Sequence, residues 1–161
     1  MHLLLRTAAF VILGFTLVLD TPVPVHAQTR PATGQAQTKA THRVVVQVSQ
    51  NDPQVMNVAL NNVENLVKYY EEKGERVQVE FVAYGPGLNM VRSDTSPVKD
   101  RLTAINGRMK NVTFSACDNT LGAQSMQENK EITLIPEARL VPAGIARIVE
   151  LQEQGWTYVR P

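Results

Sequence analysis

The sequence has little from which to build a disulfide framework or a metal centre. Its 161 residues contain one cysteine, Cys117, and three histidines. A lone thiol excludes an internal disulfide, so it is buried, shared with another chain, or used chemically. There is no run of like charge: 16 basic and 15 acidic residues leave a net charge of +1. That balance points away from electrostatic binding to nucleic acid or to an anionic membrane surface. No GxGxxG fingerprint and no GxxxxGK[ST] loop occurs, so no nucleotide is implied, nor any organic cofactor.

A long hydrophobic run is also missing. The most apolar stretch, Thr7 to Leu19, has 13 residues, short of the roughly 20 that a spanning helix needs. Arg6 precedes it, Pro22 and Pro24 follow, and Val25-His26-Ala27 has the small-residue spacing of a cleavage site. This is the layout of a secretory signal peptide over residues 1–27, cleaved after Ala27. A periplasmic or secreted protein with no stable membrane anchor is therefore expected. An uncleaved anchor is the alternative. Cleavage removes His2 and His26, leaving His42 as the only histidine. A Cys/His zinc site needs several such ligands, and a catalytic Cys–His or Ser–His pair would have to recruit His42 from the edge of the domain. Asp52, Asp94 and Asp100 have no metal-binding spacing, so no metal site is expected.

Residues 28–41 (QTRPATGQAQTKAT) are polar and small and cannot bury a core, which predicts a disordered linker. Residues 42–161 are enough for one domain with a single core.

Within that domain, strands and helices alternate. The β-branched run Val44 to Val46 with Val48 predicts a central strand over His42–Ser49. Asn51-Asp52-Pro53 supplies a cap and a first-turn proline. Val55, Ala59, Val63, Leu66, Val67 and Tyr70 then recur at helical steps as far as Lys73, and Gly74 marks the end. Glu75–Tyr84 is a second strand, broken by Gly85-Pro86-Gly87. Pro97–Met109 reads as a helix capped by Ser96, Asn111–Ser115 as a third strand, Asn119–Gln127 as a short helix and Glu137–Val141 as a fourth strand. Pro142–Gln154 reads as a helix with Ile145, Ile148, Val149 and Leu151 inward, and Trp156–Val159 as the last strand. This alternation predicts right-handed crossovers and an α/β fold, a three-layer sandwich around a mostly parallel sheet of about five strands.

In such sheets the ligand crevice lies beyond the carboxyl ends of the strands. Two segments arrive there: Tyr84 with Gly85 and Gly87, and Ala116-Cys117-Asp118-Asn119. Cys117 precedes a helix, whose dipole and free N–H groups favour a thiolate, while Asp118 opposes one. A buried, inert thiol remains the other reading. Gly85-Pro86-Gly87 reads as a structural turn that also lets a ligand approach the backbone. Asn119 and Thr120 suit helix capping or donation to a ligand. Asn111-Val112-Thr113 matches a glycosylation acceptor, but it starts a predicted buried strand.

The stretch Ala116 to Leu121 (ACDNTL) and the tail Val141 to Pro161 (VPAGIARIVELQEQGWTYVRP) resemble the DsrE/DsrF-like (YchN-like) family, in particular its small single-domain members. The resemblance covers about His42 to Pro161. It implies a flavodoxin-like sandwich and a homo-oligomer, a trimer or a hexamer. It also implies sulfur relay, in which Cys117 carries sulfane sulfur as a persulfide between a donor and an acceptor. The two segments at the strand exits then make Tyr84, Gly85, Gly87, Asn119 and Thr120 the expected lining of the crevice. The alternative expectation is a non-enzymatic oligomeric module that binds a small ligand or a protein, with Cys117 merely packed.

Overall fold

The computed structural model describes residues 41–161. The signal-peptide reading of residues 1–27 and the linker up to residue 40 lie outside the described residues. Thr41, expected to end the linker, is instead the first residue of β1.

β1 (Thr41–Val48) leads into α1 (Pro53–Glu72), then β2 (Arg76–Ala83) and a 3-10 segment (Gly85–Val91). α2 (Lys99–Arg108), β3 (Val112–Cys117), α3 (Asp118–Glu128), β4 (Ala138–Val141), α4 (Gly144–Glu153) and β5 (Thr157–Val159) complete the chain. All four ladders of the sheet are parallel, in the order β4-β3-β2-β1-β5. The predicted α/β sandwich with a parallel sheet of five strands is thus observed.

The helix layers follow from the strand order. From β1 to β4 each crossover steps to the next strand in one direction, so right-handed connections put their helices on one face. The β4-to-β5 crossover runs back across the sheet to pair β5 with β1, and the same handedness puts α4 on the opposite face. The pleat sorts the side chains accordingly. Val44, Val46, Val48, Val79, Phe81 and Phe114 join Met56, Leu60 and Val63 of α1 and Leu102 and Ile105 of α2 in the main core. Val45 and Val82 face the other way, against Ile148 and Leu151 of α4, with Tyr84 and Trp156 at the margin.

The punctuation marks act as expected. The Asp52 Oδ1 atom accepts from the N–H groups of Gln54 (2.7 Å) and Val55 (3.3 Å), and Pro53 opens α1. Gly74 and Gly155 sit at φ +67° and +81°, where only glycine avoids a steric cost. Some boundaries move. Ser96 does not cap α2 directly: its hydroxyl accepts from the Val98 N–H (3.3 Å) in a turn, and α2 starts at Lys99. The chain bends at Pro142, Ala143 is extended and α4 starts at Gly144, while the Pro142 carbonyl accepts from the Asn119 N–H (3.3 Å). The Gly85-Pro86-Gly87 turn continues as the 3-10 segment, which buries Leu88, Met90 and Val91.

One expected contact is overturned. Of the four apolar residues assigned inward on α4, Ile148 and Leu151 are buried, whereas Ile145 and Val149 are 59% and 47% exposed. The floor beneath α4 is partly charged, with Glu80 beside Val82, and it offers apolar surface for one narrow stripe only.

Candidate functional site

Cys117 ends β3 and pairs with Val141, the last residue of β4. The two strands part there: β3 feeds α3, whose Leu121 packs against the main core, while β4 feeds α4 on the opposite face. Adjacent strands whose connections diverge leave a crevice at their carboxyl ends. The thiol occupies this divergence, between the first turns of two helices.

Cys117 is the N-cap residue of α3, but it makes no conventional capping hydrogen bond. Its surroundings instead favour a thiolate. Burial pushes the thiol upward, yet the Thr120 hydroxyl and the N–H groups of Gly144, Thr120 and Asn119 outweigh it, and the net shift is below the usual thiol value. The Asn119 N–H is shared with the Pro142 carbonyl. Gly144 can come this close because a Cβ there would lie 2.8 Å from the Cβ of Tyr84, so the start of α4 rests directly on that ring.

The sequence placed this sulfur at the rim of the sheet and left open whether it is accessible or buried. It is at the rim, but Cys117 is only 5% exposed in the single chain. Its cover consists of peptide and hydroxyl groups as well as hydrocarbon.

The other expected site residues separate into three positions. Gly85, Asn119 and Thr120 come together: the Gly85 N–H donates to Thr120 Oγ1 (3.0 Å), and Gln124 Nε2 donates to the Gly85 carbonyl (3.1 Å). Two residues one helical turn apart thus clamp the two peptides that flank the Gly85 Cα. All three also line an open cavity of about 600 Å³ between α3 and that turn. Tyr84 lies on the α4 side, against Gly144. Gly87 is a correction. It is buried and does not line the crevice, because its Cα packs onto the β1 backbone, where a Cβ would lie 2.3 Å from the Val48 carbonyl oxygen.

Two charged clusters escaped the sequence reading. At the far end of the cavity, Arg92 is 5% exposed and pairs with Asp94 (2.8 Å) and Glu128 (2.5 Å), while Lys130 reaches the same two carboxylates. Hydrogen bonds from Arg92 hold Glu128 down at about 2 and hold Asp94 lower still. On the α4 face, Glu80 is 1% exposed and accepts from Arg147 through both oxygens (2.8 Å each), from Ser115 (2.6 Å) and from Arg139 (2.6 Å). Burial raises Glu80, but these partners together hold it below the ordinary carboxylate range. The available signal was Glu80 itself, a carboxylate between Val79 and the apolar run Phe81-Val82-Ala83 of a predicted central strand. The glycosylation triplet is engaged structurally: Asn111 Nδ2 donates to the Val77 carbonyl and Val112 is buried.

Among the described residues, no cluster of three or more His, Cys, Asp or Glu side chains is arranged to hold a metal ion. No helix among them is long and apolar enough to cross a membrane.

Neither a protein-family model nor a curated protein matches the chain. Among solved structures it is similar to MTH1491 from Methanobacterium thermoautotrophicum, a protein of unknown function, with a TM-score of 0.64 and 33% identity. The match covers 74% of this chain and 99% of that one. At that identity and coverage the two share more than an architecture, and the chain belongs to the same family as MTH1491.

Proposed function

We propose that this is a sulfur-handling protein of the DsrE-like kind, a persulfide carrier or sulfur-transfer protein acting through Cys117. The observation that carries the reading is the set of donors around the sulfur: a hydroxyl and three backbone N–H groups, drawn from two helix starts at the divergence of β3 and β4. In this reading the Cys117 thiolate attacks the terminal sulfur of a persulfide donor, R–S–S⁻. The Cys117 S–S bond forms, the donor S–S bond breaks, and the electron pair leaves with R–S⁻. Cys117 then holds Cys–S–S⁻ until an acceptor thiolate repeats the exchange. No metal or organic cofactor is needed. The low exposure of Cys117 means that the first turns of α3 and α4, whose groups face the sulfur, must part before a donor enters.

Incubation with polysulfide followed by intact-mass spectrometry tests this. The wild-type protein should gain the mass of one sulfur atom and Cys117→Ser should gain none. Absence of the adduct on wild type, under conditions that load a control carrier, refutes the reading.

The 5% exposure of Cys117 also favours a second reading, a non-enzymatic module with a structural thiol. Labelling by a small maleimide separates the two. Modification of the native protein in minutes supports chemistry, and labelling that becomes fast only in denaturant supports packing.

Either reading includes a homo-oligomer, a trimer or a hexamer. Ile145 and Val149 support it, being an exposed apolar pair one turn apart on α4. Ile145→Asp combined with Val149→Asp should convert the assembly to monomers in sedimentation velocity, with the circular dichroism spectrum unchanged. A periplasmic or secreted location rests on the layout of residues 1–27. N-terminal sequencing of the exported protein should begin at Gln28.

A further inference from the structure

The cavity between α3 and the β2 turn has a composition that the sulfur chemistry does not use. Its volume of about 600 Å³ lies within the size range of small-molecule sites. Carboxamides dominate its lining: Asn51, Asn89, Asn119, Gln124 and Gln127. The charged groups at its end cancel internally, since Arg92 and Lys130 are matched by Asp94 and Glu128 in one closed network. Among the described residues no cation faces the cavity without an anion beside it. A phosphate or polyanion therefore finds no unpaired side-chain cation there, and an organic cation finds only carboxylates already paired.

The hydrogen bonds divide the carboxamides into braces and free groups. Gln124 is committed, donating to the Gly85 carbonyl and accepting from Arg92. Asn89 donates to Asn51 and accepts from Thr95. Asn119 and Gln127 have no side-chain partner among the described residues. They lie two helical turns apart with Ala123 between them, a separation of about 12 Å along the axis. Asn119, Ala123 and Gln127 are all exposed and all line the cavity, whereas the core contact of α3 is made by Leu121.

We propose that the cavity binds a small, linear, uncharged ligand with hydroxyl or amide groups near both ends, held by Asn119 and Gln127 and passing over Ala123. A carboxamide donates and accepts at once, as do a hydroxyl and a peptide amide, so each end is matched without a charge. Thr120 lines the cavity and is also one of the groups facing Cys117, so a bound ligand lies one side chain from the sulfur. The binding claim stands without any thiol reaction.

The test is a titration of uniformly 15N-labelled protein followed by heteronuclear NMR, with three probes. These are N-acetyl-glycyl-glycine amide for the amide arm, maltose for the hydroxyl arm and inorganic phosphate as the charged arm. At least one neutral probe should produce saturable shifts in the backbone amides of Asn119, Ala123 and Gln127, and phosphate should produce none. Which neutral arm responds identifies the source of the ligand chemistry. Ala123→Trp, at an exposed helix position, should abolish the shifts while leaving the rest of the spectrum in place. Shifts with phosphate alone, or none with either neutral probe, overturn the proposal. Persulfide loading of Cys117 is read separately, so failure of one claim is not failure of the other.

Discussion

Replacing Arg147 by methionine should cost roughly 3 kcal/mol of stability, the scale for breaking a buried ion pair from one side. Methionine keeps the apolar stem that packs beneath α4 but removes the two 2.8 Å bonds to Glu80, which has almost no access to water. The carboxylate is then left with Ser115 and the half-exposed Arg139. Urea titration should show a lower midpoint with an unchanged slope. The pH dependence is the sharper readout. In the wild type the folded Glu80 lies below its ordinary value, so its contribution is present above the unfolded carboxylate value near 4.3 and is lost as pH falls through the folded one. In Arg139→Met/Arg147→Met only burial and Ser115 act on it, and burial raises it above the unfolded value. Its contribution should then be greatest below about pH 4.3 and be lost as pH rises through the folded value. A double variant that keeps the wild-type sign would show that the two guanidiniums do not control this carboxylate. The cluster also bears on the site: Glu80 ties β2, β4 and α4 together, and α4 supplies the Gly144 N–H that faces Cys117.

Gly87→Ala is expected to destabilise by a comparable amount, about 3 kcal/mol, toward the upper end for overpacking. The added Cβ would lie 2.3 Å from the Val48 oxygen, 2.5 Å from its carbon and 2.7 Å from the Ser49 nitrogen. All three are backbone atoms of the β1 exit and no rotamer change relieves them, so the strand or the 3-10 segment must shift. Gly122→Ala is the matched control. It adds the same methyl group within α3, where nothing lies within 4 Å, and should stabilise by about 1 kcal/mol through helix propensity. Thermal unfolding of the pair gives opposite signs for one chemical change. A neutral Gly87→Ala would mean that the β1 exit is slack.

The fold was readable because its signals are local. The valine runs of β1 and β2, the Asp52-Pro53 start of α1 and the glycines at 74 and 155 each act within a few residues. Legibility fails where a segment's fate depends on what lies opposite it. Ile145 and Val149 satisfy helical periodicity as well as Ile148 and Leu151 do, but only the sheet decides that the apolar floor under α4 is narrow. Leu88, Met90 and Val91 follow a turn signal and carry no periodicity of their own, so the 3-10 segment was invisible. At the site, the placement of Cys117 at a strand exit was legible. The role of Gly144 was not, because it follows from β3 and β4 being neighbours and from α4 starting two residues later than Pro142 suggests. Gly87 was misassigned for a related reason: a glycine that admits a ligand and one that admits a neighbouring strand look alike in one dimension.

The return of the chain across the sheet has a kinetic consequence. β5 pairs with β1 through Val44 and Thr157, Val45 and Tyr158, and Val46 and Val159, contacts between the two ends of the domain. The entropy of closing so long a loop delays such contacts relative to the stepwise pairing of β1 with β2 and β2 with β3. During synthesis β1 therefore leaves the ribosome with one backbone edge unsatisfied, and that edge waits for the last three-residue strand. A nascent chain stalled before Trp156 presents an open parallel edge, the surface on which a holding chaperone or a misfolded neighbour would act first.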